Sequence, residues 1–119
     1  MELQIDIRHD RDRTVVTPRG VIDLATIDAF RASLDEVFAH GAVDLVLDLN
    51  EITFIDSTGL GALISARRRA TAFKGSLLLA CDNDVVLRLF RITGLERVFD
   101  VVPTLAAAGI DDAPATTAS

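Results

Sequence analysis

One stretch limits what this chain can become. From Val43 to Leu49 it is apolar at nearly every position, as in a strand at the middle of a sheet with helices over at least one face. A turn at Asn50 and Glu51 and a second apolar patch, Ile52 to Ile55, lead directly into Asp56-Ser57-Thr58-Gly59. Those four residues read as a helix start. Asp, Ser and Thr side chains satisfy the unpaired N–H groups of a first turn, and Leu60, Leu63 and Ile64 follow at helical spacing. A hydroxyl therefore stands at the positive end of a helix dipole. Gly59 and Gly61 remove side-chain bulk from the same turn, so a partner backbone or a phosphate can come close to Ser57.

The flanking sequence supplies the rest of an α/β layer. Leu3, Ile5 and Ile7 alternate with polar residues, the mark of an edge strand with one wet face. A charged turn from His9 to Asp12 leads to the β-branched run Thr14 to Thr17, which pairs back as a hairpin and is expected to end at Pro18 and Gly20. Asp23 or Thr26 can cap a helix that turns Ile27, Phe30, Leu34, Val37 and Phe38 inward and closes at Gly41. The helix from Ser57 runs to about Phe73, with Arg67, Arg68 and Arg69 matching the negative end of its dipole on a solvated face. Ser76 to Cys81 reads as another buried strand. Asp82 or Asn83 then caps a helix with Val85, Val86, Leu89 and Ile92 inward, ended by Gly94. Val98 to Val102 is a last short strand, and Pro103-Thr104 opens a final short helix over Leu105 to Ala108. From Gly109 onward there is little to bury; the domain is set at residues 1–110, with 111–119 a disordered C-terminal tail. The expectation is one α/β domain, a mixed sheet of four to five strands packed against about four helices.

Composition excludes several classes. With 119 residues, half of them hydrophobic, the chain can bury a core without disulfides or metals. Its one cysteine, Cys81, reads as a small buried hydrophobe and fits a reducing cytoplasm. No segment resembles a signal peptide or a membrane span. A net charge of −6 and the absence of Trp and Tyr argue against a nucleic-acid surface, leaving another protein as the expected partner.

No catalytic constellation emerges. Ser57 lacks the first glycine of a nucleophile elbow, and the only bases on offer, His9 and His40, read as surface residues beside turns. Gly59-Leu60-Gly61 has neither the lysine of a P-loop nor the third glycine of a dinucleotide fingerprint. Asp23, Asp48 and Asp56 are carboxylates of the kind that hold Mg²⁺, but isolated Asp residues at element ends more often cap them. The chain is therefore not expected to be an enzyme, and no cofactor is implied.

Ile-Asp-Ser-Thr-Gly-Leu-Gly after an apolar strand, with Gly-Val-Ile-Asp-Leu-Ala-Thr at residues 20–26 and Val-Val-Pro-Thr-Leu at 101–105, resembles the bacterial anti-sigma factor antagonists built on the STAS domain. The resemblance spans nearly the whole chain. It implies that Ser57 is phosphorylated by a partner serine kinase that is itself the anti-sigma factor, and that a PP2C-type phosphatase reverses the modification. Asp56 would be the acidic neighbour, Gly59, Leu60 and Gly61 the helix start that the partner covers, and Asp23 a contact from the neighbouring loop; Thr58, next to Ser57, is a further expected partner contact and the second candidate acceptor. The unphosphorylated form would bind the anti-sigma factor and release a sigma factor. Val21 stands where the family often carries an acidic residue, which removes a polar contact from that loop. The alternative is a STAS domain that does not switch, serving as a structural or regulatory subunit of a transporter-associated or stress-signalling assembly.

Overall fold

A computed structural model of the chain describes residues 2–110; the expected tail at 111–119 lies outside the described residues. The alternating N-terminal run forms β1 (Leu3–Asp10), which turns at Arg11 and Asp12 into β2 (Arg13–Ile22). The two pair antiparallel, Leu3 opposite Gly20 and Asp10 opposite Arg13. His9 and Asp10 thus belong to the strand, and the turn is shorter than the sequence suggests. Six strands among the described residues make one mixed sheet: β3 (Asp44–Asp48), β4 (Ile52–Ile55), β5 (Ser76–Ala80) and β6 (Asp100–Val102) complete it in the order β1-β2-β3-β5-β6, with β4 paired to β2. β1 is an edge and β3 is central, as expected.

β2 does not stop at Pro18 and Gly20 but runs through both. Along its inner side it pairs with β3 from Thr14 to Val16 and with β4 from Gly20 to Ile22. Pro18 falls in the gap between the two partners, where a missing N–H costs no bond on that side. Gly20 sits at the irregularity that follows, with φ of +119°, and a β-carbon there would stand 2.5 Å from the carbonyl oxygen of Glu2. A side chain is excluded twice over. The patch Ile52 to Ile55 therefore forms a strand of its own, which the sequence does not announce.

α1 (Ile27–Ala39) buries the expected stripe of Ile27, Phe30, Leu34, Val37 and Phe38. α2 (Ser57–Ala72) follows β4, and α3 (Asp84–Thr93) is capped by the Asn83 side chain and closed by the left-handed Gly94. Here the expected inward face is right in part: Val86 is buried and Leu89 packs against the core, whereas Val85 and Ile92 are exposed and Phe90, which the sequence reading left out, is buried. Phe90 wins because it packs against Phe99, ring centroids 5.7 Å apart. The expected fourth helix reduces to one 3-10 turn, Ala106–Ala108, so α-helices number three among the described residues.

The sheet is covered on both faces. Val16, Leu45, Leu47, Leu77 and Leu79 meet the helices in the main core. Val15 and Val46 point the other way and are covered by Ile110, with Leu105 and Ala108 against them. Arg13 pins that cover by donating to the Ala108 carbonyl at 2.8 Å. Ile110 is buried, an exception to the reading that the sequence from Gly109 onward has little to bury. No helix among the described residues is long and apolar enough to cross a membrane.

Candidate functional site

Strand β4 ends at Ile55 and delivers Asp56 to the N-cap of α2 in an extended conformation. One carboxylate oxygen accepts from the amides of Thr58 (2.9 Å) and Gly59 (3.1 Å) and from the Thr58 hydroxyl (2.5 Å). The other accepts from the amide of Leu24 at 3.1 Å, and the Asp56 amide donates to the Ile22 carbonyl. One side chain thus closes the first turn of α2 and ties it to the loop before α1. The Thr58 hydroxyl first, and then the amides of Gly59, Thr58 and Leu24, hold the Asp56 carboxyl below its ordinary 3.8 against an opposing push from partial burial.

Because Asp56 caps the helix, Ser57 does not. Ser57 is the first residue of α2, exposed, and its hydroxyl has no hydrogen-bond partner among the described residues. Thr58 is the reverse case, half-buried with its hydroxyl spent on Asp56. The two glycines also divide. A β-carbon on Gly59 would lie 2.5 Å from Ile55 Cγ1 and 2.8 Å from Ile22 Cγ2, so Gly59 lets α2 sit on the sheet rather than lightening the surface. Leu60 is likewise buried. Gly61 is the open one, where a β-carbon would meet only Arg31 Nη2, at 3.8 Å.

The loop carrying Asp23 holds its own shape. Asp23 Oδ1 accepts from the Ala25 amide at 3.0 Å, while the buried Thr26 hydroxyl donates to the Val21 carbonyl at 2.7 Å and accepts from the Asp23 amide. Thr26 occupies the N-cap position of α1 without a side-chain cap bond. Val21 is buried in β2. Leu24 is the large hydrophobic side chain that this loop exposes, at 76%. Sequence reasoning passed over Leu24, because one apolar residue in a loop is not a signal in itself and its exposure shows only in the fold.

Other candidates lie apart. His40 follows the far end of α1, roughly 20 Å along a 13-residue helix from the loop at its start. It lines a cavity of about 450 Å³ with His9, Thr14 and Val37. Asp48 accepts from the Asn50 amide. Cys81 is buried, and desolvation pushes its thiol above the ordinary value, which keeps it protonated and inert.

The described residues form a small α/β domain with a capped, serine-bearing helix start beside a tied loop. The family model for the STAS domain matches residues 4–108, and the chain belongs to that family. Among curated relatives it is similar to the anti-sigma-B factor antagonist of Bacillus subtilis, at 31% identity over 101 residues (85% of this chain, 92% of that one). It is also similar to the anti-sigma F factor antagonist of Paenibacillus polymyxa, at 33% over 103 residues (85% and 87%). A crystal structure of an anti-sigma factor antagonist from Mycobacterium paratuberculosis superposes with a TM-score of 0.83 at 26% identity, covering 90% of this chain and 91% of that one.

Proposed function

We propose that this chain is a cytoplasmic anti-sigma factor antagonist whose partner is an anti-sigma factor serine kinase, switched by phosphorylation of Ser57. The observation that carries the reading is the division of labour at the start of α2: Asp56 does the capping, and the Ser57 hydroxyl stands exposed and uncommitted. In the unmodified state the partner covers a surface formed by Leu24, Ser57, Gly61 and the rim of the Asp23 loop, where Ser57 itself carries no charge to desolvate. In the kinase reaction the Ser57 oxygen forms a bond to the γ-phosphorus of ATP, the bond from that phosphorus to ADP breaks, and the hydroxyl proton leaves to a base. Asp56 is a poor base, since hydrogen bonds to its carboxylate stabilise the charged form. The kinase supplies the base.

A phosphoserine carries about −1.5 to −2 charges beside Asp56 and Asp23. The phosphoryl oxygens occupy the space the partner would cover, and stripping their charge of water against that partner costs several kcal/mol, so the partner leaves. A PP2C-type phosphatase would restore the binding form. The test is calorimetric titration of the wild type, Ser57→Ala and Ser57→Asp against the cognate anti-sigma factor, with phosphopeptide mapping after incubation with ATP. Ser57→Ala should bind as the wild type does and ignore ATP, while Ser57→Asp should lose on the order of a hundredfold in affinity or more. Equal affinity of all three would falsify the switch and favour a non-switching subunit of a larger assembly. Modification on Thr58 with Ser57 bare would move the acceptor.

A further inference from the structure

The groove between α1 and α2 carries two arginines in unlike situations. Arg69 is held twice, ion-paired with Asp35 and lying 4.4 Å over the Phe38 ring. Arg31, one turn before Asp35 on α1, is exposed and is ion-paired with none of the described residues. Its guanidinium rests against α2 where a side chain is missing, 3.8 Å from the point a β-carbon on Gly61 would occupy. Gly61 lies four residues after Ser57, so the two share a face of α2 with roughly 6 Å between their β-positions. A cation without an anion therefore lies within a side chain's reach of the exposed hydroxyl.

We propose that Arg31 is the intramolecular counter-ion of a phosphoryl group on Ser57. The inference rests on the assignment of Ser57 above and adds what this chain does with the modified residue. A guanidinium offers parallel N–H donors that match two phosphoryl oxygens, and such charge-assisted pairs are the strong ones. The other charged groups around Ser57 do not compete: Asp56 is committed to the helix cap, Asp23 to its loop, and Asp35 to Arg69. Asp28, in the first turn of α1, is the one further carboxylate on that helix facing the same end. Arg31 thus holds the phosphoryl along the α1–α2 groove and keeps it doubly charged at a lower pH than its usual second ionisation near 6. The bare site of Gly61 leaves the guanidinium room to do so.

The experiment installs phosphoserine at position 57 during synthesis by genetic code expansion, so that no kinase is needed. A ³¹P NMR pH titration then reads the second ionisation of the phosphate. Arg31→Ala should raise the midpoint by roughly half a unit to one unit, and Arg31→Lys should restore part of the difference. The same midpoint in Arg31→Ala and the unsubstituted chain overturns the proposal and assigns any remaining shift to the helix N-terminus. In the unsubstituted chain, the Arg31 Nε–H resonance should move when phosphoserine replaces serine. A stationary resonance also overturns the proposal, and this measurement stands even if the alanine variant does not fold. A kinase that passes over Ser57 would sink the proposed function without altering either outcome.

Discussion

Gly59→Ala and Gly61→Ala make the same chemical change two residues apart in the same helical turn, and the structure gives them opposite signs. Alanine is favoured over glycine in a helix by up to about 1 kcal/mol. At Gly61 nothing opposes that gain, because the new methyl meets only the Arg31 guanidinium at ordinary contact distance, 3.8 Å. At Gly59 the methyl enters space held by Ile55 Cγ1 at 2.5 Å, Ile22 Cγ2 at 2.8 Å and Ile55 Cδ1 at 2.9 Å. Both isoleucines are fully buried and cannot swing aside. Overpacking of this kind costs about 1–3 kcal/mol, and three contacts under 3 Å place Gly59 at the upper end. The net is a loss of about 2 kcal/mol for Gly59→Ala and a gain of up to about 1 kcal/mol for Gly61→Ala. At about 4 °C per kcal/mol, melting temperatures should fall by roughly 8 °C in one variant and rise by up to roughly 4 °C in the other. With no Trp or Tyr in the chain, circular dichroism is the probe. Equal shifts, or a more stable Gly59→Ala, would refute the account of how α2 docks on the sheet.

Two further stability measurements check other parts of the structure. The Asp56 carboxyl is held below its ordinary 3.8, so its contribution is present above that pH and fades as pH falls through the lower folded-state value. The stability gap between wild type and Asp56→Asn should therefore be constant near neutrality and narrow below about pH 4; a gap that persists in stronger acid contradicts the assignment. Ile110→Ala should cost about 2 kcal/mol, the low end for a buried aliphatic because it belongs to the small cluster over Val15 and Val46 and not to the main core, and a urea midpoint equal to the wild type would show that Ile110 does not pack.

The sequence made much of this legible where one physical signal dominated. The α1 stripe, the central apolar β3 and the polar helix start at Asp56 are each set by a single strong pattern, and each stands where the residues indicate. Misreadings arose where two signals overlapped. α3 is apolar on adjoining faces; Val86 is read correctly as inward, but periodicity cannot choose between Phe90 and the pair Val85 and Ile92 until Phe99 is known to lie there. Pro18 and Gly20 are strand breakers by local chemistry, yet β2 changes neighbours between β3 and β4 at that point, a fact of tertiary pairing. At the site itself, Asp56, Ser57, Thr58 and Asp23 do gather at one end of the sheet, linked by the bond from Leu24 to Asp56. Which of two glycines faces outward was beyond sequence reasoning, because both suit a lightened first turn and only packing against Ile22 and Ile55 separates them.

The separation of anchor from acceptor has a genetic consequence. Since the helix start is capped by Asp56 and not by Ser57, replacing the serine with alanine should leave a folded, abundant protein. Under the proposed function such an allele is not a loss but a constitutive activator. It should be dominant over the wild-type copy in a cell carrying both, because the unmodifiable chain sequesters the anti-sigma factor whatever the state of its neighbour. Lesions at Asp56 loosen the helix start and its tie to the Leu24 loop together, and they should behave as recessive nulls.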